Sequence, residues 1–467
     1  MNFHAVDLQE IATFVKNPCR TMLPKKKDKT QMSFYSTFEE QLNHKHPLYH
    51  LAKVIDWELF ERNFSKHYSP NMGTPAKSIR LMVSLLILKQ LRNLSDQSVV
   101  EQWSENSYYQ YFSGEDCFCS GVPCSSTELV EFRKRIGEEG VELILKESIR
   151  VNGKDGKGGT LSADTTVQEK NITYPTDDKL YKKIIHKCQK MADQEQVELR
   201  QSYTHTVKKL SVVQRLKRKK GGDVLARKAS KKIKTIAGRL VRELERKLTA
   251  SAMEKWGSDL SLFKQVLAQK RADTNKIYSL HEPHVKCFNK GKEHKKYEFG
   301  SKVSILVTQK TGVIVGALNF TENLHDSKTL SSALEQHTRL TGKEAKEVYA
   351  DRGYPGPKQI NNTQIHIPKP NRNITLSKRN KHKRRAAIEP VIGHLKHDYR
   401  MTRNFLKGCY GDAINVMMAA AGMNFKRIMN KWKMGQEFLA QLICTLILHF
   451  CFWNKEHHQQ QNLKITF

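Results

Sequence analysis

The sequence predicts a mixed α/β (α+β) chain, with a helical front, then a mixed β-sheet with helices against it, interrupted by a long, very basic helical insertion. Three observations predict this. Apolar residues dense enough for packed helices run from about residue 46 to 150, and β-branched strand patterns begin at Thr160 and return at Tyr297. Between them, residues 201–250 hold 16 Lys+Arg against 3 acids.

Charge narrows the class of partner. Among 467 residues, 80 Lys+Arg face 47 Asp+Glu, a formal net charge of +33 with a pI near 9.7. Such an excess predicts a polyanionic partner. Hydrophobic residues at 38% suffice for buried cores and exclude a chain disordered throughout, and the length predicts about two or three domains. Cys19, Cys117, Cys119, Cys124, Cys188, Cys287, Cys409, Cys444 and Cys451 are odd in number and scattered, which predicts a reducing cytoplasm and no disulfide framework. The start, MNFHAVDLQEIATFV, lacks a basic segment followed by an apolar run, so no secretory signal is expected. Phe438–Trp453, FLAQLICTLILHFCFW, falls short of the ~18 apolar residues of a membrane span and is interrupted by Gln441 and His449. A docking or oligomerisation helix is expected there, and no membrane partner.

The front begins with HPLYHLAKVIDWELFERNF and continues through Ser78–Leu91, SIRLMVSLLILKQL, whose apolar density predicts a core helix. RNLSD then breaks the helix, and Ser95 is placed to cap a second one over Asp96–Trp103. Helix, short turn, helix is compatible with a DNA-reading motif or with an ordinary helical hairpin. Cys117, Cys119 and Cys124 lack a fourth ligand at finger spacing, so structural zinc is not expected.

GKDGKGG at Gly153–Gly159 predicts a linker, and Thr160–Val167 a strand carrying Asp164. Beyond Thr176 the chain turns helical and basic, with KRKKGGD as a turn between helices. This block is open to two readings, a solvated charged surface or a clamp on a duplex backbone. Tyr297–Thr308 and Gly312–Phe320 predict a hairpin, followed by a helix over Ser327–Thr341, a strand at Glu347–Asp351, the loop RGYPGP and a strand near Gln364–Ile367. Next comes RRAAIEPVIGHLKHDYR with Glu389, and then a helix over Ala413–Trp432. With the basic block set aside, the order of strands and helices is that of a ribonuclease-H-like domain, an analogy of topology alone.

Asp164, Asp351 and Glu389 can then all reach one edge of the sheet. Carboxylates converging on a point repel unless hard cations neutralise them, and oxygen-only ligands favour Mg²⁺ or Mn²⁺. Two ions about 4 Å apart could orient a water or sugar hydroxyl for attack on phosphorus. The reaction class is phosphodiester cleavage or transfer.

At these residues the sequence resembles bacterial insertion-sequence transposases with a DDE (Asp-Asp-Glu) triad, within the insertion-sequence-five group. Arg385, Glu389 and Lys396 match the R-x3-E-x6-K part of that group's signature, while His382 stands where the signature has Tyr. LSADTTVQEKNITYPTD, YSLHEPHVKCFNKGKEHKKYEFGSKVSI, the NLHD segment with Asp326 and VYADRGYPG are further matches, as are the front-segment runs KQLRNLSDQSVVEQWSENSYYQYFSG and STELVEFRKRIGEEG. The resemblance implies a ribonuclease-H-like catalytic domain with Asp164, Asp351 and Glu389 as ligands of Mg²⁺ or Mn²⁺, two ions in all. It also implies cutting at terminal inverted repeats, joining of the 3′-hydroxyl to target DNA, and a homo-oligomer on paired double-stranded ends. Arg352, Arg385 and Lys396 are the candidate phosphate contacts. The spacing from Asp351 to Glu389, 38 residues, suits such a domain, and the 187 between Asp164 and Asp351 imply an insertion.

Pro390 lacks an amide, so the local helix either kinks there or starts there with Glu389 capping. The expected division is an extension at 1–45, an all-helical DNA-binding-type front at 46–150, a catalytic domain at 160–432 with its insertion at about 178–275, and a tail at 433–467. The site of action is the cytoplasm, at the nucleoid. The alternatives are a non-catalytic DNA-binding relic or repressor, and a nuclease that hydrolyses without strand transfer.

Overall fold

A computed structural model describes residues 21–23, 36–270, 272–289, 295–354, 356–368 and 375–463, with side chains in the last helix described as far as residue 435. Cys19 and nearly all of the 1–35 segment lie outside the described residues, as do the side chains of Phe438–Trp453, Cys444 and Cys451.

The front comprises α1 (Phe38–Gln41), α2 (Pro47–Val54), α3 (Trp57–Phe64), α4 (Ile79–Leu91), α5 (Asp96–Glu105), α6 (Ser107–Phe112) and α7 (Ser126–Val151). A two-residue pairing of Thr21–Met22 with Thr74–Pro75 adds a scrap of parallel sheet that the sequence did not suggest. In α4 every residue except Arg80 is buried, as expected of a core helix. Ser95 caps α5, its side chain accepting from the Ser98 amide. Asp96, in the first turn of α5, receives both guanidinium nitrogens of Arg133 on α7 at 2.7 Å and the Lys89 ammonium at 2.9 Å. The exposed positions of α5 are Gln97, Glu101, Gln102 and Glu105. α4 and α5 therefore form a helix-turn-helix hairpin tied to α7 through Asp96, with two acids and two amides on the exposed face of α5.

The sheet is built from β1 (Thr160–Glu169), β2 (Lys286–Asn289), β3 (Tyr297–Thr308), β4 (Ile314–Phe320), β5 (Glu347–Tyr349), β6 (Gln359–Ile360) and β7 (Thr363–His366). Its order is β2-β3-β1-β5-β7-β6, with β4 also on β3. β1 runs antiparallel to β3 from Leu161↔Thr308 to Glu169↔Gly300, and parallel to β5 with Ser162 opposite Tyr349. Gly300 allows the closest part of this pairing, because a Cβ there would stand 1.8 Å from the Gln168 carbonyl oxygen.

Between β1 and β2 lie α8 (Asp177–Gln194), α9 (Thr204–Arg215), α10 (Gly222–Lys247) and α11 (Ala250–Ala268), the basic insertion. These helices bury their own core, including Leu180, Ile184, Ile233, Leu240 and Phe263, separate from the larger one. The larger core is continuous from Leu48 in the front through Leu161 and Val303 in the sheet to Phe425. It is closed by α12 (Asp326–Thr341), α13 (Leu376–Arg385), α14 (Ile388–His397) and α15 (Gly408–Leu463). The helix expected at Ala413–Trp432 is therefore longer at both ends, and its backbone runs through the expected boundary at 432.

The insertion is moored by a buried charged cluster. Lys170, just past β1, holds Asp412 on α15 at 2.7 Å and Glu282, on the return from the insertion, at 3.5 Å. His284 reaches Asp412 at 3.2 Å. Burial alone would depress His284, but hydrogen bonds with Asp412 and Cys409 hold it up at about 9.

Candidate active site

Asp164 and Asp351 come together because of strand register. Ser162 on β1 pairs with Tyr349 on β5, and two residues further along these parallel neighbours stand Asp164 and Asp351. Asp164 lies within β1, whereas Asp351 stands two residues beyond the end of β5, in the turn that carries Tyr354. β1 is parallel to β5 on one flank and antiparallel to β3 on the other. Asp164 is half-buried and accepts from the Thr165 amide at 2.7 Å. Asp351 is exposed at the head of a turn closed by the Tyr354 amide on the Asp351 carbonyl.

A third acid beside them is one the sequence offered only as a family match. Asp326, in the first turn of α12, accepts from the Thr165 hydroxyl at 2.9 Å and pairs with Lys302 on β3 at 2.6 Å. Tyr354 lies among all three acids. Its burial pushes the phenol well above its usual value, and Asp164, Asp326 and Asp351 push the same way. The hydroxyl forms no well-shaped hydrogen bond among the described residues. Gly353 lies close by, and a Cβ at that position would stand 3.3 Å from the Asp326 carboxylate.

Glu389 arrives from the other side of the chain. The structure resolves the two possibilities at Pro390 in favour of a start: α13 ends at Arg385, and α14 begins at Ile388, with Ala387 as its N-cap. Glu389 is thus the second residue of α14, not its cap, and Pro390 is the third. Both fit, because amides of the first turn have no helical partner to lose and an acid there is favoured by the helix dipole. α14 packs against β1, with Ile388 and Leu395 buried. The Glu389 side chain is exposed and makes no hydrogen bond or ion pair among the described residues. Among those residues no three His, Cys, Asp or Glu side chains stand close enough together to hold a metal ion. Asp164 and Asp351 thus both neighbour Tyr354, while Glu389 stands on α14 without a described partner among these acids.

The expected cations divide in the same way. Arg385 ends α13 and stands 3.6 Å from Asp351. Lys396 is half-buried in the last turn of α14, and Arg352 is exposed in the turn after Asp351. His382, at the position where the signature has Tyr, sets its ring edge against Tyr349 at 5.0 Å, and Tyr349 stacks on His366 at 4.7 Å. An aromatic ring is retained at that position.

Two segments match known families. Residues 36–135 match the family described as Transposase domain (DUF772), and residues 274–425 match the Transposase DDE domain. The chain carries a DDE transposase domain behind a second transposase-type segment. A protein of Rhizobium meliloti, described as "Uncharacterized protein ORF8 in nfe locus", is 39% identical over 184 residues, 38% of this chain and 88% of that protein. No solved structure matches. Asp351 and Glu389 lie inside the DDE match, whereas Asp164 and the basic helices fall in the stretch between the two matches. The transposase has no helix long and apolar enough to cross a membrane among its described residues.

Proposed function

We propose that this chain cuts DNA at the terminal inverted repeats of an insertion sequence of the insertion-sequence-five group and joins the freed 3′-hydroxyl ends to target DNA. The observation that carries the reading is the register-matched pair Asp164 and Asp351, with Arg385 on Asp351 and the Glu389 helix packed on the same strand. Binding alone gains nothing from carboxylates placed beside phosphates, so the pair speaks against a relic or repressor.

The donor set fits a hard divalent cation. Asp164 and Asp351 offer carboxylate oxygens only, which suit Mg²⁺ or Mn²⁺, and the buried Tyr354 hydroxyl lies beside them. Asp164 and Asp351 would hold the ion, and Glu389 would join them once DNA draws its helix and the strand ends together. When bound, two such ions activate the attacking oxygen and stabilise the leaving one. Arg385, Arg352 and Lys396 position the phosphates, and Lys302 holds Asp326 as a fixed wall of the site. A homo-oligomer on paired ends, acting in the cytoplasm at the nucleoid, completes the proposal.

The test uses the full chain with its own flanking inverted-repeat duplex, a second duplex and Mg²⁺. Cleavage at the repeat ends followed by joining is expected, and Glu389→Gln is expected to bind DNA while losing both steps. Cleavage by Glu389→Gln sinks the assignment; cleavage without joining by the native chain marks a nuclease.

A further inference from the structure

The basic insertion holds an open groove of about 530 Å³ between the start of α9 and the outer face of α10. Lys228, Lys231, Lys232 and Arg239 line it from α10, with Tyr203 and Gln201 opposite. Spacings of 3, 4 and 11 residues from Lys228 put the four cations on one helical face, and all four are exposed. None of them forms an ion pair among the described residues, and no acid lines the groove.

The ion pairs of the insertion that involve its acids lie away from the groove. Glu195 pairs with Lys255, Asp259 with Lys187, Glu245 with Lys264 and Glu243 with Lys247. No acid thus offsets the four like charges that face this one opening. Tyr203 is held there at a φ of 57°, a left-handed conformation that non-glycine residues rarely adopt.

We propose that this groove is a DNA-backbone site, separate from the strand-end acids and indifferent to sequence. The inference rests on the reading of the chain as a DNA-acting enzyme and names the surface that grips the duplex. From Lys228 to Arg239 the helix rises about 16 Å, along which one strand of a duplex presents about five phosphates. Lysine and arginine on one face, with amide and phenol donors opposite, fit such a row of phosphates. Each phosphate neutralised releases counterions, so the groove has a measurable signature in salt.

The test measures binding of the full chain, in EDTA, to two labelled duplexes, one carrying its own inverted repeat and one of random sequence, over a range of KCl concentrations. In the double variant Lys231→Ala, Lys232→Ala, the slope of log affinity against log salt is expected to fall by about 2, and binding is expected to weaken equally on both duplexes. The Lys231→Arg, Lys232→Arg variant is expected to keep the native slope. An unchanged slope, or a loss confined to the repeat duplex, overturns the proposal. Circular-dichroism melting confirms that the exposed substitutions leave the fold intact. A chain that binds through the groove but never cuts DNA sinks only the strand-transfer reading; one that cuts with an unaltered slope sinks only the groove.

Discussion

The Arg385 guanidinium stands 3.6 Å from the Asp351 carboxylate, rather than on Glu389 four residues further along the chain. The cation of the signature is therefore a partner of the strand-end acid, reached across the gap between α13 and β5. A guanidinium that holds Asp351 competes with a metal ion for it and also stands ready to receive phosphate.

Arg385→Ala is expected to show two opposite effects. The cleavage rate falls about 100-fold, as for loss of one electrostatic contact to a developing charge, while half-maximal activity is reached at lower Mg²⁺. A Mg²⁺ titration of cleavage rate checks both; a rate within twofold of native removes Arg385 from the site. Arg385→Lys keeps the charge without the fork and is expected to recover the native Mg²⁺ dependence but not the full rate.

Tyr354 has a buried hydroxyl without a well-formed hydrogen bond. Deleting it removes an unsatisfied polar group, which otherwise costs about 1–3 kcal/mol, so Tyr354→Phe is expected to melt at the native temperature or above it. Tyr354→Ala, by contrast, empties a core position and is expected to cost about 3–5 kcal/mol. A clear drop in melting temperature for the phenylalanine variant contradicts this account.

Asp96 carries the lock between α5 and α7. Burial pushes its carboxyl up, but Arg133 and Lys89 overcome this and bring it down to about 2, from 3.8. A depressed acid contributes stability that is present above its unfolded value and lost as pH falls through the folded one, here between about 4 and 2 and worth about 2 kcal/mol. Urea unfolding of the native chain and Asp96→Asn from pH 6 downward is expected to show a gap that narrows below pH 4. A gap constant with pH refutes the ionic account.

Gly300 makes a prediction about register. Gly300→Ala places a methyl 1.8 Å from the Gln168 carbonyl, on backbone that has no room to move, and is expected to cost at least ~2 kcal/mol. Unchanged thermal melting rules out the Glu169↔Gly300 pairing.

Much of this molecule was legible along the chain. Strand alternation at Tyr297–Thr308, the Ser95 cap and the turn before Gly222 are local signals, written in neighbouring residues. Asp164, Asp351 and Glu389 could be named because each stands in a short recognisable run. Asp326 was visible only as part of a matched segment, because nothing in NLHD says that its aspartate will meet Thr165 and Lys302.

What the sequence determined by itself was the kind of chain: a basic, sheet-and-helix protein with acids at strand ends and a charged insertion. Composition and periodicity carry that information, since they set which faces are buried and which charges remain. The tertiary structure decided which residues meet. β1 and β5 pair although Asp164 and Asp351, which follow their paired residues, are 187 residues apart in the chain, and Arg385 finds Asp351 because α13 stops where it does. The unpaired cations of α10 form a groove only because α9 packs beside them. Contacts between distant segments depend on how cores pack and strands register, and no local spacing specifies either.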